Sequence, residues 1–274
     1  MKHIDYLREE MRLRSIDVGL EEVEVVKNSI PCTGIRVISP DTPEVSPIVY
    51  YSADETVEAI ADRIMAVMQA EKPEFDLDMF RDPEYVRSHL YLSVSRRNGE
   101  SQPVLRRELL NMDLIMKLVI GGVDPYGTSV IKVTADLLGL SGITEKEAWN
   151  LAEKNSRETA AIKNLAEFIG LPDDLVPPMY IASCNGGNDG ASVMCFPDVF
   201  ASFCETHELK SVIILPSSTQ EVIVLPETDL PSMTDLVTMV DEINGSVVDP
   251  LLQLDPEVYR YSYQDNAISI AASL

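Results

Sequence analysis

The sequence predicts an α+β fold in which antiparallel sheets are flanked by helices and the chain forms two lobes. Short segments that alternate apolar and polar residues are joined by turns rich in Gly, Pro, Asn and Asp, a pattern typical of antiparallel hairpins. Segments with helical periodicity separate these hairpins, but they do not follow the regular strand–helix–strand order of a parallel sheet. The sequence has no internal repeat and no low-complexity segment, so a repeat architecture is not expected.

The first lobe, residues 1–97, is predicted to combine amphipathic helices with short strands. Its strongest helical pattern follows the capping box Ser52-Ala-Asp-Glu55, in which a serine and a glutamate satisfy each other's backbone donors. The turn at 98–103 is predicted to connect the two lobes. The predicted helices cover 3–13, 54–71 and a short segment from Pro83, and the predicted strands cover 23–26, 35–39, 48–51 and 89–96.

The second lobe, residues 104–274, is predicted to alternate extended segments with helices. The glycine-rich loop Asn185–Gly190 is interpreted as a hairpin turn and not as a phosphate cradle, because it holds no lysine and a strand is predicted after it. Helices begin at the capping box Thr144-Glu-Lys-Glu147, at Pro197 and at Leu230, the last ending at Asn244-Gly245. The extended segments cover 104–110, 112–120, 128–135, 179–183, 191–195, 212–215, 221–225 and 258–263.

Charge is the feature that most constrains the partners of this protein. The chain carries a formal net charge of −23, and residues 211–274 hold ten acidic residues against one base, Arg260. Such a surface repels nucleic acid phosphates and anionic lipid, and it attracts cations and basic protein surfaces. We therefore expect a basic protein surface as partner, with no direct nucleic acid binding and no membrane binding. Paired acids such as Glu21-Glu22, Asp173-Asp174 and Asp241-Glu242 are interpreted as solvated.

The sequence predicts a cytoplasmic protein without a metal or cofactor site. No apolar run reaches the roughly 18 residues that span a membrane, and the N-terminal segment lacks the apolar centre of a secretion signal. The four cysteines form no Cys-x-x-Cys pair, and none of the three histidines stands at a metal-ligand spacing. We expect the cysteines to be reduced thiols.

The turn after the 212–215 strand is the main candidate for chemistry. Ser217 and Ser218 lie in it beside Glu221, which is the nearest titratable residue. A serine nucleophile needs a base to take its proton, and His207 belongs to the preceding helix. No Gly-x-Ser-x-Gly elbow is present, and serine also favours turns because it hydrogen-bonds its own backbone. Turn formation, ligand contact and a nucleophilic role therefore remain open alternatives.

Arg260 is the other candidate contact residue. It stands on a predicted strand between Tyr259 and Tyr261 and is the single base of the acidic segment. Arg260 either forms an ion pair with one of the neighbouring carboxylates or binds an anionic ligand between the aromatic side chains. His207, near the end of its helix, is expected to be satisfied by the helix terminus.

Four blocks resemble a family of bacterial proteins known only as a domain of unknown function. They are Met179-Tyr-Ile-Ala-Ser183, Gly190–Pro197, Ile214-Leu-Pro-Ser-Ser-Thr-Gln-Glu-Val222 and Val258-Tyr-Arg-Tyr261, and the resemblance covers nearly the whole chain. Ser217, Ser218 and Glu221 match the family pattern. The family usually has a His where this chain has Gln220, so a role that depends on that His does not transfer. The resemblance implies a shared fold, and its likeness to mobile-element proteins favours a defence or counter-defence role.

The leading interpretation is a non-enzymatic, acidic, intracellular protein-interaction module. Two alternatives come from other classes. A hydrolase or metal-assisted enzyme would use the Ser217/Ser218/Glu221 turn. This alternative predicts a deep pocket that holds Ser217 or Ser218 with Glu221, Arg260 or His207 within hydrogen-bonding distance. A DNA mimic with a counter-defence role would need a row of carboxylates at phosphate-like spacing, about one charge per 1.7 Å of a duplex axis.

Overall fold

The structure, a computed structural model, has an α+β fold with antiparallel sheets, as the sequence predicts. It describes residues 3–38, 46–52, 54–69, 77–101, 103–124, 127–170, 172, 179–216, 218–228 and 230–274. The chain divides into two compact units, residues 1–75 and 76–274. This division falls before the predicted connecting turn at 98–103. That turn lies inside the second unit, because β4 (Leu90–Arg96) before it pairs with β6 (Met112–Asp124) after it.

The first unit is a three-stranded antiparallel sheet with two helices that pack on each other. Its elements are α1 (His3–Leu13), β1 (Gly19–Lys27), β2 (Ile30–Ile38), β3 (Ile48–Tyr51) and α2 (Val57–Gln69). Leu7 of α1, Ile35 of β2 and Ile60 of α2 share one core. Strands β1 and β2 extend closer to each other than the predicted strands 23–26 and 35–39, because Asn28 and Ser29 both adopt positive φ (47° and 66°) and close a tight hairpin.

The second unit begins with a four-stranded antiparallel sheet and the helices around it. The elements are α3 (Pro83–His89), β4, β5 (Arg106–Leu109), β6, β7 (Gly127–Lys132), α4 (Ala135–Ser141) and α5 (Glu145–Glu158). The strand order is β4-β6-β5. Strand β7 also pairs with β6, and the register of this pairing shifts between Val119 and Val123. The predicted cap of α5 forms, since Thr144 Oγ1 accepts from the Glu147 amide at 3.3 Å. Trp149 of α5 is buried, as expected of a core aromatic.

A six-stranded antiparallel sheet completes the second unit. Its strand order is β13-β12-β10-β11-β9-β8. The elements are β8 (Ala161–Asn164), α6 (Leu165–Ile169), β9 (Tyr180–Ser183), α7 (Pro197–Thr206), β10 (Ser211–Leu215), β11 (Val222–Pro226), α8 (Met233–Ser246), β12 (Glu257–Ser262) and β13 (Ala267–Ser273).

Helices cover both faces of this sheet. Side chains of consecutive strand residues point to opposite faces. Ile213 and Val258 belong to the core shared with α8. Tyr261 points to the other face and packs on Phe200 of α7, with ring centroids 5.7 Å apart. Helices α7 and α8 therefore lie on opposite faces of one sheet.

Three predictions about this unit are wrong. Residues 191–195 form no strand; Gly190–Cys195 is a buried 3₁₀ turn. A short apolar run satisfies strand and buried-turn patterns equally, so periodicity could not separate them. The loop before it is consequently no hairpin turn. Helix α8 also continues past the predicted stop, because Asn244 is buried and its amide donates to the Leu254 carbonyl at 3.2 Å. Among the described residues, the helices are too short or too polar to cross a membrane.

Candidate functional site

The bend after β10 is a tightly anchored structural turn. Ser218 and Thr219 are both buried. The Ser218 hydroxyl donates to Glu221 Oε1 at 3.2 Å and accepts from the Gln220 amide at 3.1 Å. The Thr219 amide donates to the Leu252 carbonyl at 2.8 Å. These bonds hold the bend against the chain that precedes β12. Ser217 lies outside the described residues.

The structure does not bring the other candidate residues to this bend. Arg260 Nε lies 2.8 Å from Glu227 Oε2, and Glu227 also accepts from the Ser211 hydroxyl at 2.5 Å. Ser211 is the first residue of β10, whereas Ser218 follows its last residue. Arg260 is therefore paired at the opposite end of β10, and its side chain is 51% exposed.

His207 is also separate from the bend. It forms the C-terminal cap position of α7, and its exposed ring packs against the rings of Phe203 and Tyr180. Ser218 thus contacts the carboxylate of Glu221 without a histidine or arginine beside it among the contacts described. Among the described residues, a nucleophile with its base and an orienting third group is not assembled at this bend.

Helix α8 carries an exposed apolar surface that the sequence did not reveal. Met239, Ile243 and Val247 are 44%, 41% and 80% exposed. Met239 and Ile243 stand four residues apart on one side of α8. Val247 is the C-terminal cap residue, whose amide donates to the Ile243 carbonyl at 2.9 Å, so it continues the set past the end of the helix. We call these three residues the α8 ridge. Soluble proteins scatter exposed apolar side chains singly, and an aligned set is typical of an interaction surface.

The α8 ridge borders a cavity of about 180 Å³ between the helix and the sheet. Met239 and Ile243 line this cavity together with Ile223 and Leu225 of β11 and with Met179, which precedes β9. The ridge consequently lies on the side of α8 that faces β11 and β9, away from the β13 edge. An apolar partner side chain could extend the contact from the ridge into this cavity.

Carboxylates flank the α8 ridge. Asp235 stands one helical turn before Met239, and Glu242 stands three residues after it. Side chains at these spacings are neighbours on a helix surface. Both acids are exposed.

Most of the acids that the structure describes in residues 211–274 form no ion pair with another described residue. In the described part of 211–274, Glu227 and Asp255 pair with arginines, whereas Asp235, Asp241, Glu242 and Asp249 form no ion pair. The negative field around α8 therefore acts on whatever approaches the helix.

A buried ion pair lies under the loop 185–190. Lys117 Nζ of β6 donates to both oxygens of Asp189 at 2.7 and 2.8 Å, and the Tyr91 hydroxyl donates to Asp189 Oδ2 at 2.9 Å. Asp189 adopts φ 55°, which aspartate tolerates better than most residues. Burial and the Asp189 charge raise the pKa of Tyr91. This cluster fastens the loop to the four-stranded sheet.

The cysteines are free thiols, and two are buried. Burial raises the pKa of Cys184 to about 11, despite the hydrogen bond that it shares with Ser192 Oγ at 3.1 Å. Burial likewise raises the pKa of Cys204 to about 11. Both sulfurs are therefore thiols at neutral pH and are poor nucleophiles. Within the described residues, no group of three His, Cys, Asp or Glu side chains could hold a metal ion.

The raised pKa of Cys184 predicts a pH-dependent stability difference. The buried thiol stays protonated up to about pH 11, whereas in the unfolded chain it ionises near its ordinary value of 9. The stability that the folded protein gains from keeping this thiol buried is therefore fully present below pH 9. It is lost as the pH rises towards 11. The stability deficit of Cys184→Ala relative to wild type should thus shrink by about 2 kcal/mol between pH 8 and 10.5. Urea unfolding measures this difference, and the deficit of the non-titrating control Val193→Ala should stay constant.

A family model described as a family of unknown function, DUF5688, matches residues 4–263. The chain belongs to the DUF5688 family. This confirms the resemblance to a domain of unknown function that the sequence blocks indicated. The match includes β1 to β12 of this DUF5688 protein and ends before β13. No curated protein and no solved structure matches it.

Proposed function

We propose that this DUF5688 protein is a non-enzymatic interaction module whose α8 ridge receives a basic, apolar segment of a partner protein. One observation carries the proposal: aligned exposed apolar side chains, Met239, Ile243 and Val247, are flanked by carboxylates that have no cationic partner in the described chain. The proposal places the protein in the cytoplasm, because its cysteines are free thiols.

The two components of this surface would contribute differently to binding. The apolar ridge and the cavity beside it supply affinity by removing apolar surface from water, at roughly 25 cal/mol per Å². The carboxylates of Asp235 and Glu242 attract basic side chains, which speeds encounter and selects against acidic partners. A partner helix with apolar residues every three or four positions and Lys or Arg beside them fits both requirements.

The alternatives receive less support from the same geometry. A DNA mimic needs a continuous row of carboxylates, whereas Asp235 and Glu242 flank an apolar strip. Among the described residues, a hydrolase would rest on Ser218 and Glu221, since Arg260 pairs with Glu227 at the other end of β10.

Binding of a designed probe tests the proposal. The probe is a fluorescein-labelled amphipathic helix of 14 Leu and Lys residues, and its dissociation constant is measured by fluorescence anisotropy. We expect the double variant Met239→Ser/Ile243→Ser to bind this probe about tenfold more weakly, because it removes the apolar anchor. Leu140→Ser is the matched control: Leu140 is 54% exposed on α4 and should leave affinity unchanged.

Charge is tested separately with the conservative variant Glu242→Gln. It should weaken binding about twofold to threefold at low salt and have little effect at 1 M salt, where the screening length falls to about 3 Å. Glu58→Gln, an exposed acid on α2, provides the charge control. Equal affinity of the ridge variant and wild type would contradict the proposal, as would tighter binding of a matched Leu and Glu peptide.

A further inference from the structure

A second groove lies between β8 and α7. It has a volume of about 310 Å³. Strand β8 is the outermost strand of the six-stranded sheet in the described chain. The groove is lined by Arg157, Ala160, Ala161 and Ile162 on one side and by Val199, Ser202, Phe203, Thr206 and His207 of α7 and its cap on the other. Its α7 residues recur at helical spacing, so one face of the helix forms a continuous wall beside the strand.

The hydrogen-bond register shows which backbone groups of β8 are open. β8 pairs antiparallel with β9, and the Leu165 amide donates to the Met179 carbonyl at 2.9 Å directly beyond the last pair. Hydrogen-bonded pairs alternate with non-bonded pairs in such a ladder. Lys163 and Ala161 therefore bond to β9, whereas the N–H and C=O groups of Ile162 and Asn164 point to the outer edge.

These outward groups have no partner in the described chain, because β8 ends the strand order and no other strand pairs with it there. The side chain of Ile162 points to the face that α7 covers, as does Ala182, with which it is in register. An incoming strand would find main-chain donors and acceptors at the edge and apolar side chains, Ile162, Val199 and Phe203, in the groove.

The groove differs electrostatically from the rest of the protein. The described residues that line it include no carboxylate, although the chain nets −23. Arg157 and His207 stand in it instead. Asp198 binds Nε and Nη2 of Arg157, which leaves Nη1 without a hydrogen bond among the described residues. A guanidinium nitrogen of this kind suits a carboxylate.

We propose that the β8–α7 groove binds an extended peptide segment that joins the sheet as an additional strand beside β8. The segment has apolar residues at alternate positions, which fill the groove, and a carboxylate that meets Arg157. Main-chain hydrogen bonds to Ile162 and Asn164 give affinity, and the alternating side chains give selectivity. This site is independent of the α8 ridge, since α7 and α8 lie on opposite faces of the sheet.

A peptide probe tests the main-chain contacts directly. The probe is a fluorescein-labelled Thr-Val-Thr-Val-Thr-Val peptide with a free C-terminal carboxylate. Two N-methylated versions are compared with it. One carries methyl groups on the backbone nitrogens of the three Val residues, and the other carries them on those of the three Thr residues. Strand addition directs only one of these sets of N–H groups towards β8. We expect one version to lose at least about tenfold in affinity and the other to bind within about threefold of the unmodified probe.

Protein variants test the same contact from the other side. Ile162→Pro removes the outward N–H without breaking a bond to β9, and proline is tolerated on edge strands. Ile162→Ala removes most of the side chain but keeps the N–H. We expect the proline variant to bind the probe at least about fivefold more weakly than the alanine variant. Hydrogen exchange in the wild type should show new protection at Ile162 and Asn164, but not at Ala161 and Lys163, when the probe binds.

Two results obtained with the wild-type protein would overturn the proposal, so the test does not depend on whether a variant folds. Equal affinity of both N-methylated peptides would exclude main-chain pairing. Unchanged exchange at Ile162 and Asn164 would exclude this edge as the site. The carboxylate part is overturned if the amidated probe binds as tightly as the acid. Mutation of the α8 ridge should leave all these results unchanged, so the outcome does not depend on the proposed function.

Discussion

Replacing Gly190 by Ala is expected to destabilise the second unit by about 3 kcal/mol or more. A Cβ atom at this position would lie 1.9 Å from Ser183 Oγ, 2.5 Å from the Gln220 carbonyl oxygen and 2.9 Å from the Cys184 nitrogen. The serine side chain can rotate away, but the other two atoms belong to the backbone. The bend after β10 and the end of β9 would have to separate to admit the methyl group.

Gly139→Ala is the matched control for this substitution. Nothing lies within 4 Å of a Cβ at Gly139, which is an exposed position within α4. Because alanine favours helix more than glycine does, this variant should be more stable than wild type by about 0.5–1 kcal/mol. Urea unfolding of both variants measures the difference. A Gly190→Ala variant as stable as wild type would show that Gln220 and Gly190 do not approach as closely as described.

Replacing Lys117 by Met is expected to cost about 3–5 kcal/mol, because it leaves the carboxylate of Asp189 buried without its cation. The side chains of Lys117 and Asp189 are only 15% and 9% exposed. The Tyr91 hydroxyl remains as a hydrogen-bond donor, but it does not compensate a full charge. Thermal and urea unfolding should both show the loss.

A double variant separates the charge effect from the loss of packing. Lys117→Met/Asp189→Asn leaves no charge at either position of this pair, and Asn accepts the left-handed backbone of position 189 (φ 55°). It should be more stable than Lys117→Met by about 2 kcal/mol. The surface control Lys154→Met removes an exposed partner of Glu158 and should change stability by less than about 0.5 kcal/mol. If Lys117→Met behaves like Lys154→Met, Asp189 is solvated.

Local patterns predicted the class of fold and many of its strands. The segments 212–215, 221–225 and 258–263 form β10, β11 and β12 with bounds that differ by at most one residue. These runs are rich in β-branched residues and are bounded by turn residues. Strand β8 escaped prediction, because its four residues, Ala-Ile-Lys-Asn, have no strand pattern of their own and depend on pairing with β9.

The candidate sites were harder to predict, because they arise from tertiary packing. Met239 and Ile243 occur at the i, i+4 spacing that also describes a helix core, and the sequence does not show which side of α8 the sheet covers. The Lys117–Asp189 pair joins residues 72 positions apart, so no local signal links them. Conversely, the Pro-Ser-Ser bend looked like a site because of its hydroxyls, but its Ser218 and Thr219 are buried in the turn.

The arrangement of α7 and α8 on opposite faces of the six-stranded sheet has a consequence for assembly. A cationic helix captured on one face and an extended acidic tail captured on the other would be tethered on a shared rigid scaffold. The two bound segments would then be held at a fixed separation and at a raised effective concentration relative to each other. They would not compete for the same surface.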